Sequence, residues 1–160
     1  MFDFTQTMFV GIDVSKDSNQ MCLINFERKK LLNKSFKNNQ EGALSMKNII
    51  IDNLSKHKLS NLIIVLESTG IYSMHIANFL SNEAESICSN TRVYLVNPII
   101  SHNYSKTILG SNKNDSNDAF ALADFAASNK TNKLEPFKPN QHFAIQSLAR
   151  QRKHYIELLA

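Results

Sequence analysis

A chain of 160 residues and 18.1 kDa, 42% hydrophobic and 20% charged, is long enough to build one ordinary globular core. Its longest apolar runs, such as Leu62 to Leu66, are too short to cross a bilayer, so the sequence argues against a membrane protein and predicts a cytoplasmic one. A net charge of +4 and a pI near 9.1 are compatible with a polyanionic partner but do not identify one. Cys22 and Cys88 lack the CxxC or Cys/His neighbours of a zinc or redox site and read as reduced core thiols, and no two of the five histidines have helical metal spacing.

In chain order, Met8 to Val14 is β-rich and ends in an acidic turn at Asp13, and Asn19 to Phe26 is a second strand. The break Glu27-Arg28-Lys29-Lys30 reads as a hairpin tip before a third strand, Leu31 to Lys37. Asn38 or Asn39 can cap a helix whose apolar face runs through Ala43, Leu44, Met46, Ile49, Ile50 and Leu54. Leu62 to Leu66 is continuously apolar, as a strand covered on both faces must be, and it ends in Glu67-Ser68-Thr69-Gly70 before helical spacing resumes over Ile71 to Leu80. Arg92 to Val96 is a further strand, which Asn97-Pro98 stops because proline cannot continue the ladder. Ser101 to Asn114 has little to bury and reads as a polar, mobile segment, whereas Ala119 to Ser128 is a strong helix former. A linker through Pro136 and Pro139 precedes a last helix from Gln141 that nothing caps before Ala160, which suggests a piece of something longer. Three strands, helix, strand, helix, strand, helix make an α/β pattern with one mixed sheet.

The chemistry resides in the carboxylates. Asp13 and Glu67 close strands, and in open α/β sheets ligands bind at the carboxyl ends of strands. Singly, each also fits an ordinary role, a strand-end turn residue or a helix cap. Asp115 and Asp118, three apart, share one side of a helix, and that side continues into Ala119, Leu122, Phe125 and Ala126, so both acids are expected to point inward. Asp124 falls opposite and is expected to be merely solvated. The helix dipole favours acids at such a start by only about 0.3 to 1 kcal/mol each. Four acids converging to ~4 Å would repel by on the order of 4 kcal/mol per pair at an effective dielectric near 20, so a cation or protonation would be required. Oxygen-only ligands select hard ions, Mg²⁺ or Mn²⁺, and a pair of such ions can serve phosphodiester chemistry.

The words Gly11-Ile12-Asp13-Val14-Ser15-Lys16, Glu67-Ser68-Thr69-Gly70-Ile71-Tyr72, Asn97-Pro98 and Lys113-Asn114-Asp115-Ser116-Asn117-Asp118-Ala119, in this order, resemble the N-terminal domain of IS110-type transposases, a family that includes Piv-type invertases. The likeness runs from about residue 8 to residue 128 and continues more weakly through the last helix. It implies an RNase H-like, RuvC-like fold, with residues 1–130 as the catalytic domain and 131–160 as a linker and the start of a coiled-coil connection. The family's acidic tetrad then maps onto Asp13, Glu67, Asp115 and Asp118 as catalytic metal ligands. The resemblance also implies DNA cleavage and rejoining, an element-encoded guide RNA, assembly of several protomers and a nucleoid-associated location. The family's C-terminal domain, which carries a nucleophilic serine, lies outside this chain, and Ser15 and Ser68 read as hydrogen-bonding strand-end residues. Asn114 stands where the family often has threonine.

Lys16, Arg92, Lys106 and Lys113 adjoin the acidic words and are candidate phosphate contacts, with solvated surface cations as the alternative. Tyr72 could stack on a base or pack beneath the site, and packing is the expectation. A sugar-kinase or actin-like ATPase also opens with a strand ending in aspartate, but it needs glycine next, and Val14-Ser15-Lys16 supplies none. A Holliday-junction resolvase shares the fold and the acids. A non-catalytic nucleic-acid-binding or assembly module would keep the fold without turnover.

Overall fold

The computed structural model describes residues 2–111, 114–139 and 143–160, and for residues 143–147 the backbone alone. Strands β1 (Thr7–Val14), β2 (Ser18–Ile24) and β3 (Lys30–Lys37) form an antiparallel meander. Arg28 turns the β2–β3 connection with a φ of 66°. Helix α1 (Gln40–Lys56) follows, and the Asn39 side chain caps it by accepting from Gly42 N at 2.8 Å. Strand β4 (Asn61–Glu67) leads through Gly70 into α2 (Ile71–Asn82) and a single turn, α3 (Ala84–Ile87), which sequence periodicity is too short to reveal. Strand β5 (Asn90–Val96), helices α4 (Pro98–Leu109) and α5 (Asp115–Ala127), a 3-10 turn over Lys130–Lys133 and helix α6 (Phe143–Leu159) follow.

The five strands are arranged β3-β2-β1-β4-β5, with β1, β4 and β5 mutually parallel. This is the expected mixed sheet. Side chains alternate between its faces with period two. Met8, Val10, Ile12, Leu62, Ile64 and Leu66 pack with α1 and α2, whereas Phe9, Ile63 and Val65 pack with α5. Both faces of β1 and β4 are covered, which is why their sequences are apolar almost without interruption.

One segment departs from its sequence reading. Residues 98–109, expected as part of a polar, mobile stretch, are helical. Asn97-Pro98 ends β5 but also starts this helix: Asn97 is the N-cap, its side chain accepting from Ile99 N at 2.8 Å, and Pro98 occupies the first turn, where its missing N–H costs nothing. The apolar pattern is weak because Ser101 is the only buried residue of α4. Tyr104 holds the helix instead. Its ring meets Phe125 edge-on with centroids 5.3 Å apart, and its hydroxyl donates to the Asp124 carboxylate. Asp124 is therefore not merely solvated as expected. It is largely covered and ion-paired with Arg28 at 2.9 Å, which ties α4 and α5 to the β2–β3 turn. Burial and the bond to Asp124 raise the Tyr104 phenol above its ordinary range, and burial pushes the Cys22 thiol up to about 11. Cys22 is buried and Cys88 half-buried, both as free thiols.

Helix α5 lies across β1 at Gly11 so closely that a Cβ there would stand 2.0 Å from the Ala119 carbonyl oxygen and 2.5 Å from Ala123 N. Backbone cannot yield as a flexible side chain can, so Gly11→Ala is expected to lower stability by about 3 kcal/mol, read as a fall in the urea midpoint. Tyr104→Phe removes one partly buried hydrogen bond and is expected to cost about 1 kcal/mol at neutral pH. Because the folded phenol has the higher pKa, its stabilisation is complete below the unfolded value near 10 and is lost as pH rises through the folded one. Urea titrations should therefore show a shallower alkaline decline in Tyr104→Phe than in the parent, and identical curves would contradict the assignment.

Candidate functional site

The candidate site is built from strand ends. Asp13 is the penultimate residue of β1 and Glu67 the last of β4. The parallel register pairs Ile12 with Leu66, so the next pair along is Asp13 and Glu67, on neighbouring strands and, by alternation, on the α5 face. Both are half-buried. The close approach at Gly11 sets the height of α5 over β1, and its N-terminus lies towards the carboxyl ends of the strands, because its other end is tied to the β2–β3 turn by Arg28.

Asp118 is half-buried and lines a small pocket of about 60 Å³ with Glu67, Ser101, His102, Ser105 and Leu122. Ser105 Oγ donates to Asp118 Oδ1 across 3.4 Å, a long bond. Asp115, expected to point inward with Asp118, is exposed. It is the first residue of α5, where side chains lean towards the helix start and so past the end of the strand. The structure thus brings Asp13 beside Glu67 and Glu67 into one pocket with Asp118, and Asp115 is not among the residues that line it. Among the described residues, no three of His, Cys, Asp and Glu are grouped as a metal site. What they offer is pairs of hard oxygen ligands. That suits an ion which keeps waters and takes only one or two protein carboxylates, as Mg²⁺ does.

The basic candidates separate. Lys16 is exposed in the β1–β2 turn, three residues beyond Asp13, and Lys106 is exposed on α4 beside Ser105. Arg92 does not adjoin the site: it pairs in register with Ile63, four residues short of the Glu67 level, and its guanidinium lies 4.4 Å from the centre of the Phe2 ring. Lys113 lies outside the described residues. Ser15 makes local bonds to Ser18 in the turn, as a strand-end serine was expected to, and Ser68 extends the backbone ladder to Val96. Ser101, His102 and Ser105 were missed, because α4 was not recognised as a helix. The signal that could have found them is Asn97-Pro98 read as a cap followed by the first helical residue.

Similar proteins agree with this architecture. Two relatives named pilin gene-inverting protein, from Moraxella lacunata and Moraxella bovis, are each 28% identical over 147 residues, 92% of this chain and 42% of theirs. The chain therefore spans about two fifths of the length of these relatives. Among solved structures, RuvC from Thermus thermophilus superposes with a TM-score of 0.55 at 14% identity, covering 81% of this chain and 99% of RuvC. RuvC from T. thermophilus in complex with a Holliday-junction substrate gives 0.54 at 13%, covering 82% and 99%. The fold is RuvC-like, within the RNase H-like class. A family model described as transposase, of the IS110 DEDD type, matches residues 10–160, and the chain belongs to that family.

Proposed function

We propose that the chain is the N-terminal catalytic domain of a DNA transposase or recombinase, with Asp13, Glu67, Asp115 and Asp118 as the ligands of Mg²⁺ or Mn²⁺ in the cleavage and transfer of phosphodiester bonds. The observation that carries this reading is the meeting of Glu67 and Asp118 in one pocket at the carboxyl ends of the strands, with Asp13 the register neighbour of Glu67. A bound divalent ion would supply Lewis-acid stabilisation of the charge that builds on a phosphate oxygen. Glu67 and Asp118 supply the oxygen ligands from two different elements, strand and helix, and Ser105 orients Asp118 through its hydroxyl. Lys16 and Lys106 would hold the nucleic-acid backbone at either side.

In the same reading an element-encoded RNA pairs donor with target and several protomers assemble, features that rest on family resemblance and belong to a longer protein. Residues 1–130 form the catalytic domain, and 131–160 form the linker and the start of a connecting helix. The location is the cytoplasm, on the nucleoid. Among the described residues no helix is long and apolar enough to cross a membrane.

Mn²⁺ titration followed by electron paramagnetic resonance tests the metal role. Glu67→Gln and Asp118→Asn should each weaken binding by at least about tenfold, while Asp52→Asn, an exposed carboxylate on α1, should not. Equal binding by all four proteins would refute the ligand assignment and leave an assembly module as the better description. In a Mg²⁺-dependent nicking assay on the longer protein that carries this domain and the serine-bearing one, Asp118→Asn should lose at least about 100-fold in rate. Cleavage restricted to four-way branched DNA would instead favour a junction resolvase.

A further inference from the structure

On the opposite side of the sheet from the carboxylates, but at the same end of its strands, the molecule has a second and larger cavity of about 460 Å³. Its walls are the β1–β2 turn, the start of α1 and one side of α2, represented by Lys16, Asn38, Asn39, Tyr72, His75 and Phe79. Tyr72, expected from the sequence to pack beneath the site, is 39% exposed. No carboxylate lines the cavity among the described residues.

We infer that this cavity binds an unpaired nucleotide of single-stranded DNA, adjoining the phosphate that the proposed carboxylate site cuts; the inference rests on that reading of the site. Size comes first. A cavity of this volume takes one flat base with its sugar, within the range of small-ligand pockets, and cannot admit a duplex. The lining has the two components that sequence-tolerant single-strand binding needs, exposed aromatic surface for stacking and a cation for the backbone, with amide groups between them for base edges. A hydrophobic peptide would find its apolar contacts interrupted by those amides and by Lys16.

Lys16 follows Asp13 by three residues, and Tyr72 follows Glu67 by five, so both walls continue the strands that carry the carboxylates. A single strand with a phosphate at the carboxylates has its neighbouring nucleotide delivered to the cavity across the strand ends.

The walls are also held before anything binds. Asn38 Nδ2 donates to the Ser15 carbonyl at 2.8 Å and Asn38 N to the Asp17 carbonyl at 3.0 Å, which fixes the Lys16 turn against the start of α1. Asn38 itself accepts from the buried Asn19 amide at 3.2 Å. Gly70, with a φ of 80°, starts α2 so that Tyr72 falls in its first turn. A preorganised cleft loses less entropy on binding than one that must assemble.

The test uses fluorescence anisotropy with a labelled oligothymidylate of about 12 nucleotides, the matching oligouridylate and a duplex, in EDTA and low salt. Tyr72→Leu keeps bulk without a stacking face and should weaken oligothymidylate binding about tenfold. Lys16→Gln should weaken it several-fold and make the slope of log K against log salt shallower by about 0.7, the value for one phosphate contact on a single strand. Both side chains are exposed, so thermal midpoints should match the parent protein. Photocrosslinking of 5-iodouracil DNA should place the adduct on Tyr72 or Phe79. Unchanged affinity in both variants, equal weakening for the duplex, tighter binding of the oligouridylate or a crosslink elsewhere would each overturn the inference. Because the measurement is made without divalent metal, failure of the ligand assignment leaves its readout intact, and the reverse also holds.

Discussion

The contact of α5 with β1 at Gly11 is the constraint on which the rest depends. With no side chain at that point, helix backbone rests on strand backbone, and the approach fixes both the height and the rotation of α5. Rotation decides which residues face the sheet: Ala119, Leu122, Ala123 and Ala126 enter the core with Phe9, Ile63 and Val65. Asp118 precedes this apolar stripe and is carried by it towards Glu67. A helix held farther away by a methyl group would lift Asp118 from the strand ends, so the smallest residue in the strand governs the reach of a charged one in the helix.

The two ends of α5 treat aspartate differently. Asp124 has its countercharge within the fold, from Arg28 at 2.9 Å, and the Tyr104 hydroxyl donates to it as well. A largely covered carboxylate with such partners is a structural element, and its worth lies in joining three segments that are remote in sequence. Asp118 has a long bond from one hydroxyl and faces a pocket that also contains a glutamate. Two carboxylates in so small a space favour any divalent cation that reaches them. Two aspartates six residues apart on one helix thus have opposite settings, one held by a countercharge within the fold and one facing a pocket.

Most of the sheet was legible because its strands obey simple rules: β1 and β4 are apolar on both faces, and β2 and β3 flank a basic turn. Asp13 and Glu67 were legible as strand ends, and parallel register then places them side by side. What escaped has physical causes. Asp115 was assigned inward by angular spacing alone, which ignores that the first helical residue projects past the sheet. Asp124 was assigned to solvent because its partners, Arg28 and Tyr104, lie 96 and 20 residues away in sequence, and no local pattern records such pairings. Helix α4 was missed because one buried residue leaves no periodicity to detect.

That helix bears on how the pocket works as a whole. Ser101, His102 and Ser105 form the α4 wall facing Glu67, yet α4 buries only Ser101, so hydrophobic packing does little to set the width of the pocket. Its position is instead governed by Tyr104, whose hydroxyl bonds to Asp124 and whose ring rests on Phe125. Tyr104 belongs to the same turn of α4 as Ser101 and Ser105 but points to a different partner, the far half of α5. The wall of the pocket and its anchor therefore share one rigid turn, and a shift at either is felt at the other. Among the elements around the pocket, α4 is the one held chiefly through a single side chain, Tyr104, whereas β1, β4 and α5 are locked by the core.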